Sequence, residues 1–137
     1  GNPDRTVVNI AGDGSFFMNC NELSSLAKHK IPLVELVFEN DVLGMVRQWQ
    51  TLFFHKRYSN TVLERKTDFV KLAEAFGAKG KRVTTKDEFE AAFSEAMKSD
   101  EPYLIDTIIG IDEMVLPMLP PGGSIDDMIT SVEMEEN

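Results

Sequence analysis

Two apolar runs, Leu33–Phe38 and Tyr103–Ile109, constrain this chain most. Each is nearly continuous where a half-solvated strand would alternate, the pattern of strands covered on both faces. Further strand signals stand at Thr6–Ala11 and Lys81–Thr84, and helical patterns fill the gaps between all four. Strand and helix in alternation build a parallel sheet with helices packed on it. The predicted fold is therefore α/β, a three-layer α/β/α domain with a mainly parallel sheet.

The chemistry-bearing residues stand where these strands end. Thr6–Ala11 runs into Gly12-Asp13-Gly14-Ser15, and Leu33–Glu39 runs into Asn40-Asp41. Neighbouring parallel strands would bring Asp13 and Asn40 together at the carboxyl edge, where open α/β sheets bind ligands. A carboxylate and an amide oxygen are hard donors, suited to a magnesium ion that also holds a diphosphate. Gly12 and Gly14 let backbone N–H groups approach phosphate oxygens unobstructed, and Ser15 adds a hydroxyl. In outline this is a metal–diphosphate site.

Gly12-Asp13-Gly14 followed by Asn40 resembles the signature of the thiamine diphosphate-dependent decarboxylases and carboligases. Leu43-Gly44-Met45-Val46-Arg47-Gln48-Trp49-Gln50 and Leu116-Pro117-Met118-Leu119-Pro120-Pro121-Gly122-Gly123-Ser124 extend the likeness to the acetolactate synthase large-subunit family. The resemblance covers nearly the whole chain but only the C-terminal portion of such a subunit, so it implies an incomplete domain. It implies that Asp13, Asn40 and the backbone carbonyl of Val42 ligate magnesium. Gly12, Gly14 and Ser15 would contact the diphosphate, Leu43, Gly44 and Met45 would wrap the cofactor, and Trp49 would line the substrate channel. The stretch around Pro120 would belong to an arm folded over the active site.

The same resemblance implies a parent enzyme that condenses pyruvate with a second 2-keto acid, releasing carbon dioxide, in branched-chain amino-acid biosynthesis. It implies a cytoplasmic homo-oligomer with FAD in a domain absent here, and a regulatory small subunit as a possible partner. The family's activating glutamate comes from the N-terminal domain of a partner subunit. No catalytic residue is therefore assigned to this chain, and alone it is expected to be inactive. One departure stands out: Glu39 occupies the first position of the family's usual asparagine pair. It would repel a diphosphate unless it turned into a polar contact elsewhere. Two alternatives stay open, another thiamine enzyme of glyoxylate carboligase or pyruvate oxidase type, and a non-enzymatic α/β module binding a phosphoryl group or partner.

At 137 residues one domain is expected. Residues 1–110 would be the diphosphate- and magnesium-binding part, and 111–137 a C-terminal arm or tail. A net charge of −9 argues against a nucleic-acid or anionic-membrane surface. No apolar run approaches the roughly 20 residues that span a bilayer. Acidity gathers at Asp126, Asp127, Glu133, Glu135 and Glu136, which read as a solvated tail. Cys20 is the only cysteine, so no internal disulfide forms and a reducing compartment is favoured. The abrupt entry into a strand after Arg5 suits an excised piece.

Helices are expected over Phe16–His29, with a capping restart at Asn19 and Glu22, and over Met45–Lys56, with Met45, Trp49, Leu52 and Phe53 along one face. A third follows Asp68, burying Phe69, Leu72, Ala73 and Phe76 before Gly77. The fourth follows Thr85, capped with Glu88, and buries Phe89, Phe93 and Met97. Ser59–Lys66 reads as a connecting loop. His29, His55, Cys20, Lys28 and Lys30 read as helix-end, solvated or packing residues.

Overall fold

The computed structural model describes residues 4–64 and 66–132. Four strands, β1 (Val7–Gly12), β2 (Leu33–Glu39), β3 (Lys79–Val83) and β4 (Tyr103–Ile108), form one sheet in the order β1-β2-β4-β3. Every neighbouring pair is parallel, as the alternation of elements requires. The register sets Gly12, Phe38, Thr107 and Val83 in one row, so all four strands end at a common carboxyl edge.

The helices are α1 (Asp13–Asn19), α2 (Glu22–His29), α3 (Gly44–Phe53), α4 (Phe69–Ala75) and α5 (Lys86–Ala96). One face of the sheet packs Val37 and Leu104 against Phe16, Leu23, Phe69 and Ala73 from α1, α2 and α4. The other packs Val34, Leu36, Val83 and Ile105 against Ala92 and Ala96 of α5. These clusters are the two cores of a layered α/β fold, the architecture expected from the sequence.

Several details differ from expectation. The first helical stretch breaks at Cys20 and Asn21 into α1 and α2, and no side-chain cap forms at Asn21. β3 starts at Lys79, earlier than Lys81, because hydrogen bonding to β4 defines a strand whose own residues carry little apolar signal. α3 ends at Phe53, short of Lys56, where His55 and Lys56 take positive φ values of 52° and 57°. The face of α3 holding Met45 and Trp49 is open, and the buried residue of that helix is Gln48. On α5, Ala92 and Ala96 are buried while Met97 is exposed, since the small residues let the helix sit close to the sheet.

Local signals elsewhere hold. The Asp68 carboxylate accepts the Lys71 amide at 3.2 Å, and α4 ends before Gly77, whose φ of 88° suits glycine. Thr85 and Glu88 form the full reciprocal cap of α5. Between β4 and Val132 the chain runs without long elements. Met118 and Ile129 pair in an antiparallel bridge around a short 3-10 turn at Ile125–Asp127. Asp126 and Asp127 are exposed there. Glu133, Glu135 and Glu136, read as a solvated tail, lie outside the described residues.

Candidate functional site

The common carboxyl edge brings the residues expected at the metal and the cofactor, all but Trp49 of the predicted site, into one cleft of about 450 Å³. Gly12 to Ser15 enter it from the end of β1, Asn40 from the end of β2, and Val42 to Met45 from the turn into α3. α1 starts immediately at Asp13, so no connector separates the strand from its glycine turn.

Asp13 is 3% exposed and joins the two strand ends. Its Oδ2 accepts the Asp41 amide at 2.9 Å, and its Oδ1 accepts the Gly14 amide at 2.6 Å. Asp41 itself sits in the left-handed region, at φ 58°, a conformation that Asp and Asn tolerate better than most residues. That kink turns the chain so that Asn40 Oδ1 accepts the Val42 amide at 3.2 Å.

Val42 then pairs with Val62 in an antiparallel bridge whose hydrogen bonds belong to its neighbours. The Leu43 amide donates to Thr61 O and the Leu63 amide to Asp41 O, each at 2.8 Å. In such a pair the central residue's carbonyl points away from the partner chain. Val42 therefore has a backbone oxygen free of that bridge, beside Asn40.

These groups fit a magnesium diphosphate. A carboxylate oxygen and an amide oxygen each carry two lone pairs, so accepting one backbone amide does not by itself exhaust either. Among the described residues no three His, Cys, Asp or Glu side chains are placed to hold a metal. A magnesium ion here would find oxygen donors in Asp13, Asn40 and the Val42 carbonyl, and would take the rest from its ligand and water, hard donors of the kind it prefers. Glycine keeps the cradle open: a Cβ on Gly14 would meet Leu43 Cδ2 at 3.2 Å, and one on Gly44 would meet Asn40 Nδ2 at 3.2 Å.

Glu39 resolves its own difficulty by turning to an adjoining cleft of about 700 Å³. Arg82 lies there at 3.7 Å from Glu39 Oε2 and 3.7 Å from Asp68 Oδ1, and its Nε donates to Asp106 Oδ2 at 2.8 Å. Burial above all, then the neighbouring Asp106 carboxyl, raises the Glu39 pKa to about 7 against the pull of Arg82. Its charge is thereby both turned aside and weakened.

Trp49 lies outside the diphosphate cleft. With Met45, Val46, Gln50, Phe54 and Arg57 it lines a neighbouring apolar hollow of about 500 Å³. Trp49 is 38% exposed, and its ring rests edge-on against Phe53, with centroids 5.4 Å apart. Met45 and Val46 belong to both hollows, so the two are continuous along α3.

Residues 1–107 match the family described as "Thiamine pyrophosphate enzyme, C-terminal TPP binding domain". The chain belongs to the thiamine pyrophosphate enzyme family. It is 48% identical over 127 residues to the acetolactate synthase isozyme 2 large subunit of Escherichia coli K12, a match covering 93% of this chain and 23% of that protein. It is 43% identical over 133 residues to a probable acetolactate synthase large subunit of Methanocaldococcus jannaschii, covering 97% and 22%. Among solved structures, the thiamine diphosphate-dependent 4-hydroxybenzoylformate decarboxylase of Rhodococcus jostii RHA1 superposes with a TM-score of 0.75. That match has 34% identity and covers 82% of this chain and 21% of the other. The chain thus spans under a quarter of these relatives and is a piece of a thiamine pyrophosphate enzyme. No helix among the described residues is long and apolar enough to cross a membrane.

Five residues around this site escaped the sequence. Thr61 and Leu63 hold the Val42 turn from a segment that reads only as a loop. Arg82 and Asp106 lie far apart in the chain, on β3 and β4, with nothing local to pair them. Gln48 reads as a flank of Trp49, although its amide makes the bonds described below.

Proposed function

We propose that the longer protein containing this chain is a carboligase dependent on thiamine diphosphate and magnesium. It condenses pyruvate with a second 2-keto acid, releases carbon dioxide, and yields acetolactate or acetohydroxybutyrate for branched-chain amino-acid synthesis. The observation that carries this reading is the Asp13–Asp41 hydrogen bond, which draws Gly12-Asp13-Gly14 and Asn40 to one cleft at the carboxyl edge of the sheet. The names of the relatives support it further, since both curated proteins quoted above are described as acetolactate synthase large subunits.

In this reading Asp13, Asn40 and the Val42 carbonyl hold magnesium, and Gly14 and Ser15 contact the diphosphate, the serine through its backbone amide and through its hydroxyl once that turns from Gly12 O, to which it donates at 3.0 Å. Leu43, Gly44 and Met45 wall the cofactor, and Trp49 faces the acceptor keto acid. When bound, thiamine diphosphate supplies the electron sink that decarboxylation needs. The chain's own part is to fix the cofactor's anionic end and exclude water through the apolar wall of α3. FAD belongs to another region of the parent. A homo-oligomer in a cytoplasmic, reducing setting, with a regulatory small subunit as a further partner, completes the proposal. This chain alone is inactive.

Acetolactate formation from pyruvate by the full-length protein, with thiamine diphosphate and magnesium supplied, tests the reading. Carbon dioxide release without a new carbon–carbon bond would move the protein to the simple decarboxylases.

A further inference from the structure

Gln48 is 3% exposed and is the buried residue of α3. Its side chain reaches across to the segment after β4. Oε1 accepts the Val115 amide at 2.8 Å, while Nε2 donates to Val115 O at 3.0 Å and lies 3.2 Å from Met118 Sδ. A primary amide presents donor and acceptor side by side, as a peptide group does. Gln48 therefore pairs with Val115 much as a strand residue pairs with its neighbour.

The adjacent residue reinforces this. Arg47 Nε donates to Asp112 Oδ1 at 2.7 Å, and its guanidinium lies 4.0 Å over the Tyr58 ring. The arm they grip starts inside the functional region. Ile109 lines the diphosphate cleft, and Ile111 lines the adjoining carboxylate cleft. On the adjoining face of the same helix, Trp49, Met45 and Val46 line the apolar hollow.

We propose that Gln48 is a positioning residue: its amide fixes the C-terminal arm to α3, so that the arm and the Trp49 wall are held as one body. Its kinetic consequence rests on the carboligase reading above; the tether itself does not. Gln48→Met keeps the length of the side chain and removes both hydrogen bonds to Val115. Val115 itself is exposed, so its amide, once freed from the Gln48 oxygen, is open to solvent, and hydrogen exchange reads that loss of protection.

In the full-length protein we expect Gln48→Met to accelerate exchange in the peptide containing Val115 by about tenfold or more. Protection in β2 and β4 should stay as in the wild type. The KM for the second keto acid should rise several-fold, with thiamine diphosphate affinity within about twofold of wild type, because Asp13 and Asn40 are untouched. Gln48→Glu, which keeps the acceptor for the Val115 amide but sets a carboxylate against the Val115 carbonyl, should change both readouts in the same direction. Unchanged exchange at Val115 would overturn the tether. Faster exchange with an unchanged KM would overturn the coupling to the Trp49 wall. Protection lost throughout β2 and β4 would make Gln48 a general core residue and defeat the proposal equally. A wild-type protein that forms no acetolactate would defeat the carboligase reading instead, and exchange at Val115 would then decide the tether alone.

Discussion

β1 and β4 carry residues to the same edge of the sheet, yet they are anchored in opposite ways. Leu104 and Ile105 of β4 are 0% exposed, whereas Val7 and Ile10 of β1 are 52% and 66% exposed in this chain. β4 lies between β2 and β3 with packed helices on both faces. β1 has a neighbour on one side only and stays in register through its ladder with β2, through Asn9, and through Asp13. Asn9 Nδ2 donates to both Glu35 oxygens, at 2.9 and 3.0 Å, and Asp13 accepts from Asp41 beyond the strand. Apolar packing thus locates the centre of the sheet, and polar contacts locate the strand that delivers Asp13. Loss of volume should hurt the first, and loss of a hydrogen-bonding group the second.

The largest expected effect is at the centre. Leu104→Ala should cost about 2–5 kcal/mol in denaturant unfolding, the range for truncating a fully buried leucine. A cost below about 1 kcal/mol would show that β4 is no better packed than β1. Next comes Asp13→Ala, which removes two charge-assisted acceptors and a candidate magnesium ligand. In the full-length protein, magnesium-dependent retention of thiamine diphosphate should fall at least about a hundredfold, equivalent to about 2.7 kcal/mol. Retention at wild-type affinity would remove Asp13 from the site.

Glu35 sharpens the comparison through pH. Burial lifts its pKa above the usual 4.5, opposed by the Asn9 hydrogen bonds. With the folded pKa above the unfolded one, its contribution is fully present below about pH 4.5 and is lost as pH rises through the folded value. Glu35→Gln should therefore leave stability near pH 4 almost unchanged and raise it increasingly toward neutrality. Melting temperatures across pH 4–8 check the slope, and a gain confined to acid would reverse the sign. The smallest effect belongs to Ile10→Thr on exposed β1, within about 0.5 kcal/mol. A loss approaching that of Leu104→Ala would mean that β1 is packed after all.

What could be read from the sequence follows the same division. β2 and β4 were legible because their burial is written as continuous apolar residues, and the paired signals at their edge gave Asp13 and Asn40. The caps at Asp68 and Thr85 were legible because capping is local chemistry. β3 was displaced because Lys79, Gly80 and Lys81 owe their strand geometry to hydrogen bonds with β4. The face of α3 was misread for a related reason: its apolar stripe borders open hollows, and a glutamine amide fills its buried side. Arg82 with Asp106, and Thr61 with Leu43, are contacts between distant segments, which no local pattern encodes.

The hydrogen bond from the Asp41 amide to Asp13 also bears on what a ligand must do on arrival. A loop that binds an ion by folding around it loses conformational freedom at the moment of binding, at roughly 1–2 kcal/mol for each backbone residue fixed. Here Asp41 already holds its left-handed turn, Val42 is already bridged to the segment at Val62, and Asn40 already accepts the Val42 amide. That loss of freedom falls on folding, so in the proposed function the affinity of the cleft would reflect its oxygen atoms more than the ordering of its backbone.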